Sequence, residues 1–362
     1  MRIGIYAPNL ATPAPSGVER CVISLVRALA SAESDHEFVL FSDWDPGPTP
    51  PRWRRVALPS MGRWARLRFD HSGLARRARE ERLDLVHATK SFLPAGLGCP
   101  GVVSVYDVIF LRHPGFYPFL WRAYWTRALA RSVERAAAIS CLSETTERDL
   151  HELLPASRGK TQVVPPGVDP GLFRGAAVDG PPCFLCVGNL TRRKNLPVLI
   201  EAFARVRKTR PVELVVVGAL DYGGNALEGD GVRYLERVPD QDLGRLYRSA
   251  IALVYPSQYE GFGLPVLEAM SAGCPVIASS GGALPEAVGE AGLLVPPGSP
   301  EDLAGAMERV AADPDLRRRL ADQGRARAAR FTWERAAERT LELYERAARR
   351  PHAERHETLA RP

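Results

Sequence analysis

Short apolar runs alternate along the chain with segments whose apolar residues recur at helical spacing. An apolar run bounded by turn residues is typical of a buried strand, and helical spacing is typical of an amphipathic helix. Strands separated by helices predict an α/β fold with parallel sheets. The basic segments between 41 and 83 are predicted to be helical or irregular. The runs interpreted as strands are 2–7, 37–41, 83–87, 102–106, 136–142, 183–187, 212–218, 232–238, 251–255 and 275–278.

One turn in this pattern has the features of a ligand site. The run 251–255 leads through YPSQYEGFGLPVLEAMS into a helix with an apolar stripe. Gly261 and Gly263 permit positive φ or a close approach to a ligand, and Pro265 suits the first turn of a helix. A strand, a glycine-rich loop and a helix N-terminus in this order favour an anionic ligand at the carboxyl edge of a parallel sheet.

Two carboxylates bracket that turn. Glu260 lies in the loop, and Glu268 lies about one turn into the helix. A carboxylate accepts hydrogen bonds from hydroxyl groups, so the pair suits a sugar or a ribose better than a phosphate. Two surface glutamates that flank a tight turn are the alternative interpretation.

A second strand-to-helix turn carries two adjacent cations. The strand predicted over CFLCV ends at Gly188, and Arg193 and Lys194 follow in LTRRKN. Two fixed cations at such a junction can neutralise a diphosphate leaving group without Mg²⁺. Surface decoration is the alternative for a basic pair. Further on, SGGALPEAVG puts Gly281 and Gly282 at another helix N-terminus, which is a second candidate anion cradle.

The chain is long enough for two domains. It has 362 residues, of which 45% are hydrophobic, and this is ample for two separate cores. A segment rich in Pro and Gly, 165–182, is the predicted linker. The predicted boundaries are 1–175 for a first domain, 176–331 for a second and 332–350 for a final helix that begins after Thr332.

The strings GNLTRRKN and EGFGLPVLEAMSAGCPVIAS resemble motifs of the retaining nucleotide-sugar glycosyltransferases of family 4, which have the GT-B architecture. The resemblance covers nearly the whole chain. It implies two Rossmann-like domains that face each other across a cleft, with the C-terminal helix crossing back to the first domain. It also implies that Glu260 holds hydroxyls of the donor sugar and Glu268 the ribose of the nucleotide. Arg193 and Lys194 would bind the diphosphate.

The first domain contributes further residues by the same resemblance. The segment SGVE predicts a capped helix start, and its Gly17 matches a family glycine that touches the donor phosphates. The family's usual His-Asp pair stands here as Tyr106-Asp107, and a tyrosine cannot reproduce the protonation chemistry of histidine near neutral pH. Tyr106 can still donate a hydrogen bond. His87 and His113 are candidate substitutes that we do not select, because a lone histidine is more often structural.

The assignments form one catalytic set and one donor-binding set. Val238 belongs to the second set because backbone groups at the corresponding position meet the nucleotide base in the family, which leaves the base unreadable from the sequence. No metal ligand is assigned. The catalytic set is Arg193, Lys194, Glu260, Asp107 and Tyr106. The donor-binding set is Gly17, Gly188, Val238, Gly261, Phe262, Gly263, Leu264, Glu268 and Gly282.

The activity that the resemblance implies is metal-independent transfer of a hexose, with retention of configuration, from a nucleotide diphosphate sugar. The donor would be GDP- or UDP-linked, with mannose as the first choice of sugar, and no separate cofactor is implied. The acceptor would be a hydroxyl of a glycan, a lipid-linked compound or a small molecule. A nucleotide-sugar epimerase or a phosphorylase of the same architecture is one alternative. A non-catalytic nucleotide-sugar-binding protein, with a site lost at Tyr106, is the other.

Charge and composition bear on partners and location. The stretch 52–82 has 10 Arg against 3 acidic residues, with Trp53, Trp64 and Phe69 between them. A solvated helix face is one interpretation, and contact with an anionic membrane or a phosphate-bearing acceptor is the other. No nucleic-acid-binding signature accompanies the charge, so nucleic acid is not an expected partner. No signal peptide or membrane-spanning run is recognised, and the six cysteines are expected to be reduced. We therefore expect a cytoplasmic protein, with association at the cytoplasmic face of a membrane as an open alternative.

Overall fold

The computed structural model describes residues 1–12, 15–59, 69–169, 171, 180–219 and 229–349. The chain divides into two compact units. The first unit contains Met1–Gly167 and the chain from Trp333 onward, and the second contains Val168–Thr332. The chain passes from the first unit to the second after Gly167, on the N-terminal side of position 175, and it returns to the first unit directly after Thr332.

The first unit is built on a seven-stranded sheet with the strand order β3-β2-β1-β4-β5-β6-β7, and every pairing in it is parallel. Its strands are β1 (Arg2–Tyr6), β2 (Glu37–Ser42), β3 (Trp53–Ala57), β4 (Leu85–Ala88), β5 (Gly101–Val105), β6 (Ala138–Cys141) and β7 (Thr161–Val163). Its helices are α1 (Gly17–Ser31), α2 (Leu74–Glu80), α3 (Ile109–Arg112), α4 (Phe119–Arg135), α5 (Glu144–Leu153) and, at the end of the chain, α12 (Trp333–Ala348). Single helical turns occupy Phe69–Gly73, Pro114–Phe116 and Pro155–Ser157.

The second unit is built on a six-stranded parallel sheet with the order β10-β9-β8-β11-β12-β13. Its strands are β8 (Cys183–Val187), β9 (Glu213–Val217), β10 (Val232–Leu235), β11 (Ala252–Tyr255), β12 (Val276–Ser279) and β13 (Leu293–Val295). Its helices are α6 (Leu196–Arg207), α7 (Asp240–Ser249), α8 (Leu264–Ala272), α9 (Leu284–Val288), α10 (Pro300–Ala312) and α11 (Pro314–Ala328). Two parallel sheets with interleaved helices confirm the predicted pair of Rossmann-like domains.

Alternation along the central strands of the first unit divides its core between the two faces of the sheet. Ile3 and Ile5 of β1 belong to one apolar cluster, whereas Tyr6 belongs to the other. Successive side chains of a strand point to opposite faces, so a strand buried on both faces reads as a continuous apolar run. This is why the central strands were predicted from the sequence close to their observed positions.

The C-terminal helix α12 packs against α1 within the first unit, as predicted. Leu343, Tyr344 and Ala347 of α12 are fully buried in the same cluster as Val22 and Val26 of α1. The start of α1 also matches the prediction, because the Ser16 backbone N–H donates to Glu19 Oε2 at 2.7 Å and the Glu19 N–H donates to Ser16 Oγ. No helix in the described part of the chain is long and apolar enough to cross a bilayer.

The sequence interpretation of the basic stretch 52–82 was wrong in one respect. Trp53–Ala57 forms the edge strand β3, and the Trp53 ring stacks on Phe38 at 4.4 Å between centroids. An edge strand with one inward aromatic residue and two arginines lacks the apolar run by which the other strands were recognised. Trp64 lies outside the described residues.

Candidate active site

The two charged turns predicted from the sequence follow adjacent strands at the point where the strand order of the second sheet reverses. β8 leads into the turn Arg192–Lys194, and β11 leads into the loop that contains Glu260. In an open parallel sheet, ligands bind outside the carboxyl ends of the strands at such a switch point. The fold thus brings Arg193 and Lys194 to Glu260, although 66 residues separate Lys194 from Glu260 in the sequence.

Arg193 and Lys194 both form ion pairs with the Glu260 carboxylate. Lys194 Nζ lies 2.8 Å from Glu260 Oε1, and Arg193 Nη1 pairs with Glu260 Oε2. Arg193 Nη1 also donates to the Tyr259 carbonyl at 3.2 Å. The side chain of Lys194 is 6% exposed and that of Arg193 is 20% exposed, so the guanidinium is the more accessible cation.

The electrostatics of this cluster keep Glu260 ionised. Burial alone raises the pKa of the Glu260 carboxyl, but the Arg193 and Lys194 charges outweigh it and hold this pKa at about 2. Burial lowers the pKa of Lys194, and the Glu260 charge opposes that shift. Glu260 therefore depends on the two cations for its charged state in a buried place, and Lys194 is supported in turn by Glu260, which is typical of a preorganised site.

Tyr255 completes the surroundings of Lys194, and sequence reasoning did not assign it a role. Lys194 Nζ donates to Tyr255 Oη and lies 3.9 Å from the centroid of the Tyr255 ring. Burial, followed by the Glu260 charge, raises the pKa of this phenol well above its usual range, so it stays neutral. The signal in the sequence is its position as the last residue of the apolar run before the loop.

Gly188 leaves room for the Lys194 side chain, and Gly218 leaves room for the Gly188 backbone. Gly188 has a φ of +129°, and a Cβ there would lie 3.1 Å from Lys194 Nζ. Gly218 ends the neighbouring strand with a φ of +146°, and a Cβ there would overlap the Gly188 carbonyl oxygen. The positive φ favours glycine at position 188, and the absence of a side chain leaves room for the Lys194 ammonium.

Gly281 and Gly282 allow the loop after β12 to lie against the Glu260 loop. A Cβ at Gly282 would overlap the Glu260 carbonyl oxygen and lie 2.6 Å from the Glu260 nitrogen. A Cβ at Gly281 would lie 2.7 Å from the Gln258 carbonyl carbon. The Ala283 N–H also donates to the Glu260 carbonyl at 2.9 Å. The predicted second anion cradle thus also fixes the backbone of Glu260.

The glycine-rich loop takes a positive φ at one of its two glycines. Gly263 has a φ of +104°, but Gly261 has no positive φ. The Phe262 ring is 3% exposed and meets Phe331 edge-on at 5.4 Å, so its side chain belongs to the interior. Leu264 begins α8.

Glu268 lies on α8, and its carboxylate is held by a residue that sequence reasoning missed. Tyr247 Oη donates to Glu268 Oε2 at 2.9 Å, and both residues are buried. Val238 lies in the loop between β10 and α7, because β10 ends at Leu235 and not at position 238. Tyr247 has no motif around it, so only the packing of α7 against α8 reveals the contact.

Three buried polar atoms around the cationic turn lack a hydrogen-bond partner among the described residues. They are Thr191 Oγ1, Asn195 Nδ2 and Ser257 Oγ. Asn195 has a φ of 56° and ends the turn that carries the two cations. Buried polar groups are almost always paired in folded proteins, so these atoms are available to bond an ordered water molecule or a polar ligand at this turn.

The predicted residues of the first unit lie near the starts of two helices and against the core. Gly17 is exposed at the start of α1. Asp107 Oδ1 accepts from the Ile109 N–H at 3.1 Å at the start of α3. Tyr106 is partly buried against the core, and burial raises the pKa of its phenol well above the usual range, so it can act only as a neutral donor or acceptor.

His87 is a buried structural residue. Its Nδ1 lies 2.7 Å from Tyr344 Oη, and its Nε2 lies 2.8 Å from Ser104 Oγ. Burial lowers the pKa of His87 to about 3, so the ring is neutral. These contacts agree with a structural role for His87.

Two family models match the chain in succession. The glycosyltransferase family 4 model matches residues 15–172, and the group 1 glycosyl transferases model matches residues 172–327. The chain is also 30% identical over 289 residues to O-antigen chain mannosyltransferase B of Escherichia coli, a match that covers 72% of this chain and 74% of that protein. The chain belongs to the group 1 glycosyltransferases of family 4.

Two further proteins support this membership. The MMP alpha-(1->4)-mannosyltransferase of Mycolicibacterium hassiacum is 34% identical over 236 residues, which cover 62% of this chain and 57% of that protein. The structure of a sucrose-phosphate synthase from Thermosynechococcus elongatus superposes with a TM-score of 0.76 at 25% identity, covering 95% of this chain and 98% of that one. The GT-B fold and the glycosyltransferase class follow from these matches. The chain spans little more than half the length of the second mannosyltransferase.

Proposed function

We propose that this glycosyltransferase transfers a hexose, with mannose as the first choice, from a nucleotide diphosphate sugar to a hydroxyl group, with retention of configuration. The observation that carries the proposal is the buried cluster of Arg193, Lys194 and Glu260 at the switch point of the second sheet. Two cations and one carboxylate leave one net positive charge beside unpaired polar atoms, which suits an anionic ligand.

In this proposal the diphosphate binds against the two cations. Arg193, as the more exposed of the two, makes bidentate contacts with phosphate oxygens, and Lys194 supplies a buried point charge. As the bond between the anomeric carbon and the phosphate oxygen breaks, negative charge grows on the leaving diphosphate. Cations already fixed in place stabilise that charge without a bound metal.

The acceptor oxygen then bonds to the anomeric carbon through an oxocarbenium-like transition state on the same face. Its proton passes to the departing phosphate oxygen, so no protein base is needed in this scheme. Glu260 and Glu268 accept hydrogen bonds from the sugar and ribose hydroxyls respectively. Mannose is favoured because two of the relatives are mannosyltransferases by name. The relatives named above are all transferases or synthases, so an epimerase or a phosphorylase is not favoured.

The direct test is a product assay with GDP-mannose and UDP-hexoses in the presence of EDTA. We expect release of one nucleoside diphosphate to increase when a hydroxyl acceptor is added. We also expect the anomeric proton signals of donor and product to show the same configuration by NMR. Turnover that requires inorganic phosphate, or sugar isomerisation without an acceptor, would contradict the proposal.

A further inference from the structure

Four of the five exposed large apolar side chains in the described part of the chain lie together at the start of α4. The exposed fractions are 69% for Phe119, 81% for Leu120, 38% for Trp121 and 39% for Tyr124. The fifth, Leu294, lies in the other unit. We call these four residues the α4 patch. Apolar side chains gathered in this way, in contrast to singly scattered ones, mark an interaction surface.

The α4 patch is held in place by the rings beneath it. Trp121 stacks on Tyr117 at 4.9 Å and 10°, and it meets Phe110 edge-on at 5.8 Å. Tyr124 meets Trp125 edge-on at 5.3 Å. The patch is therefore presented by an ordered aromatic cluster at the start of a 17-residue helix.

Exposed arginines continue the same face of the helix. Leu120, Tyr124, Arg127 and Arg131 recur at helical spacing and are all exposed, so they form one stripe that is apolar at its start and basic further on. The only acidic residue of α4 is Glu134, in the last turn. No carboxylate of the described residues pairs with either Arg127 or Arg131.

An anionic membrane surface is the partner that fits both parts of this stripe. Aromatic and leucine side chains enter the boundary between headgroups and acyl chains, and arginines bind the lipid phosphates while their stems stay on the apolar side. A second copy of the chain fits less well, because a two-fold contact pairs this face with itself, and α4 offers the arginines no acidic residue other than Glu134. We propose that the α4 patch, with Arg127 and Arg131, docks the protein on an anionic membrane.

The structure favours this helix over the other basic, aromatic segment of the first unit. The basic, aromatic stretch 52–82 keeps Trp53 in the core, and Phe69 is partly buried against Tyr6. The proposal stands independently of the donor and of the proposed reaction. Its failure would leave the cationic turn of the second unit untouched.

The test is co-sedimentation of the full chain with phosphatidylcholine vesicles, with and without about one third phosphatidylglycerol. We expect binding only to the anionic vesicles and weaker binding at high salt, because the charge contribution is screened. Phe119→Ser with Leu120→Ser should lower the vesicle affinity about tenfold or more through loss of apolar burial. Arg127→Gln with Arg131→Gln should lower it about fivefold for each arginine.

A matched control is Leu294→Ser with Arg319→Gln, which removes one exposed apolar residue and one exposed arginine elsewhere. It should bind within about twofold of the wild type. All these side chains are exposed, and the melting temperature of each variant verifies its fold. Absence of wild-type binding at low salt would overturn the proposal, as would equal losses in the control. The proposal would also be overturned if the chain forms a dimer, and if Phe119→Ser with Leu120→Ser dissociates that dimer while vesicle binding stays unchanged.

Discussion

The switch points of the two sheets carry similar turns but differ in how their charged residues are arranged. In the second unit, Arg193 and Lys194 share one buried carboxylate, Glu260. In the first unit, Lys90 follows β4 and pairs with Glu19 at 3.4 Å, where Glu19 also caps α1. These two side chains are 28% and 20% exposed. The pair in the first unit supports a helix start, and the cluster in the second unit fixes charges around one buried carboxylate.

From this difference we expect the chemistry to depend mainly on the second unit. Buried and fixed charges, as on Lys194 and Glu260, meet an arriving anion without reorganisation, whereas a more exposed charge, as on Lys90, is solvated and screened. Tyr106 and Asp107 of the first unit are bound to the core and to a helix start, respectively. We therefore expect variants of the second unit to affect catalysis much more than variants of the first.

The largest effect should come from removing the cations. Arg193→Ala and Lys194→Ala should each lower turnover about 10²-fold or more, because a preorganised charge on the leaving group is lost. The neighbouring Arg192 is exposed and gives the matched control, since Arg192→Ala should change turnover less than about threefold. Steady-state kinetics on the three variants decides this. Turnover of the first two within threefold of the wild type would refute the catalytic assignment.

Glu260→Gln should show a characteristic pH dependence of stability. The pKa of Glu260 is about 2 in the folded protein, below the ordinary 4.5, so ionised Glu260 stabilises the fold above about pH 4.5 and loses this effect as the pH falls towards 2. The full contribution is about 3 kcal/mol. The free energy of unfolding, measured in urea, should differ less between wild type and variant as the pH falls from about 6 to about 3. A difference in the free energy of unfolding that stays constant over this pH range would contradict the buried cluster.

Gly282→Ala should displace the Glu260 loop. The substitution introduces strain at a φ of +61° and an overlap with the Glu260 backbone, so we expect a loss of about 2–3 kcal/mol and weaker nucleotide binding. Gly298→Ala is the control, because its φ is +90° but nothing lies within 4 Å of the added Cβ. It should lose only the strain, about 1 kcal/mol. Equal losses in urea unfolding of the two variants would show that the contact at Glu260 is unimportant.

Tyr106→Phe should have the smallest effect. The phenol is neutral, and its loss removes one hydrogen-bonding group, which is worth about 1 kcal/mol, or roughly a fivefold change in rate. Nucleotide binding should stay unchanged. Kinetics and a nucleotide titration measure both quantities. A loss of turnover as large as that of Arg193→Ala would show that the first unit carries essential chemistry. It would contradict the expectation that variants of the second unit have the larger effect.

The sequence predicted the cationic turn and the Glu260 loop because each is a local string that follows an apolar strand. Their contact follows from strand order, which places β8 beside β11. The sequence could not predict that Tyr255 binds Lys194 or that Tyr247 binds Glu268, because those contacts depend on packing between distant segments. The hydrophobic pattern also could not predict the edge strand β3 or the exposure of the first residues of α4. The burial of these residues depends on which segments pack beside them.

The most direct test of the account is thermal unfolding of the protein in EDTA with UDP, GDP, dTDP, ADP or CMP. A ligand at 100 times its dissociation constant adds about 2.7 kcal/mol of stability. We expect one nucleoside diphosphate to raise the melting temperature, and we expect this shift to disappear in Arg193→Ala and in Lys194→Ala. If no nucleotide shifts the melting temperature, with or without Mg²⁺, the nucleotide-sugar site at the cationic turn is contradicted.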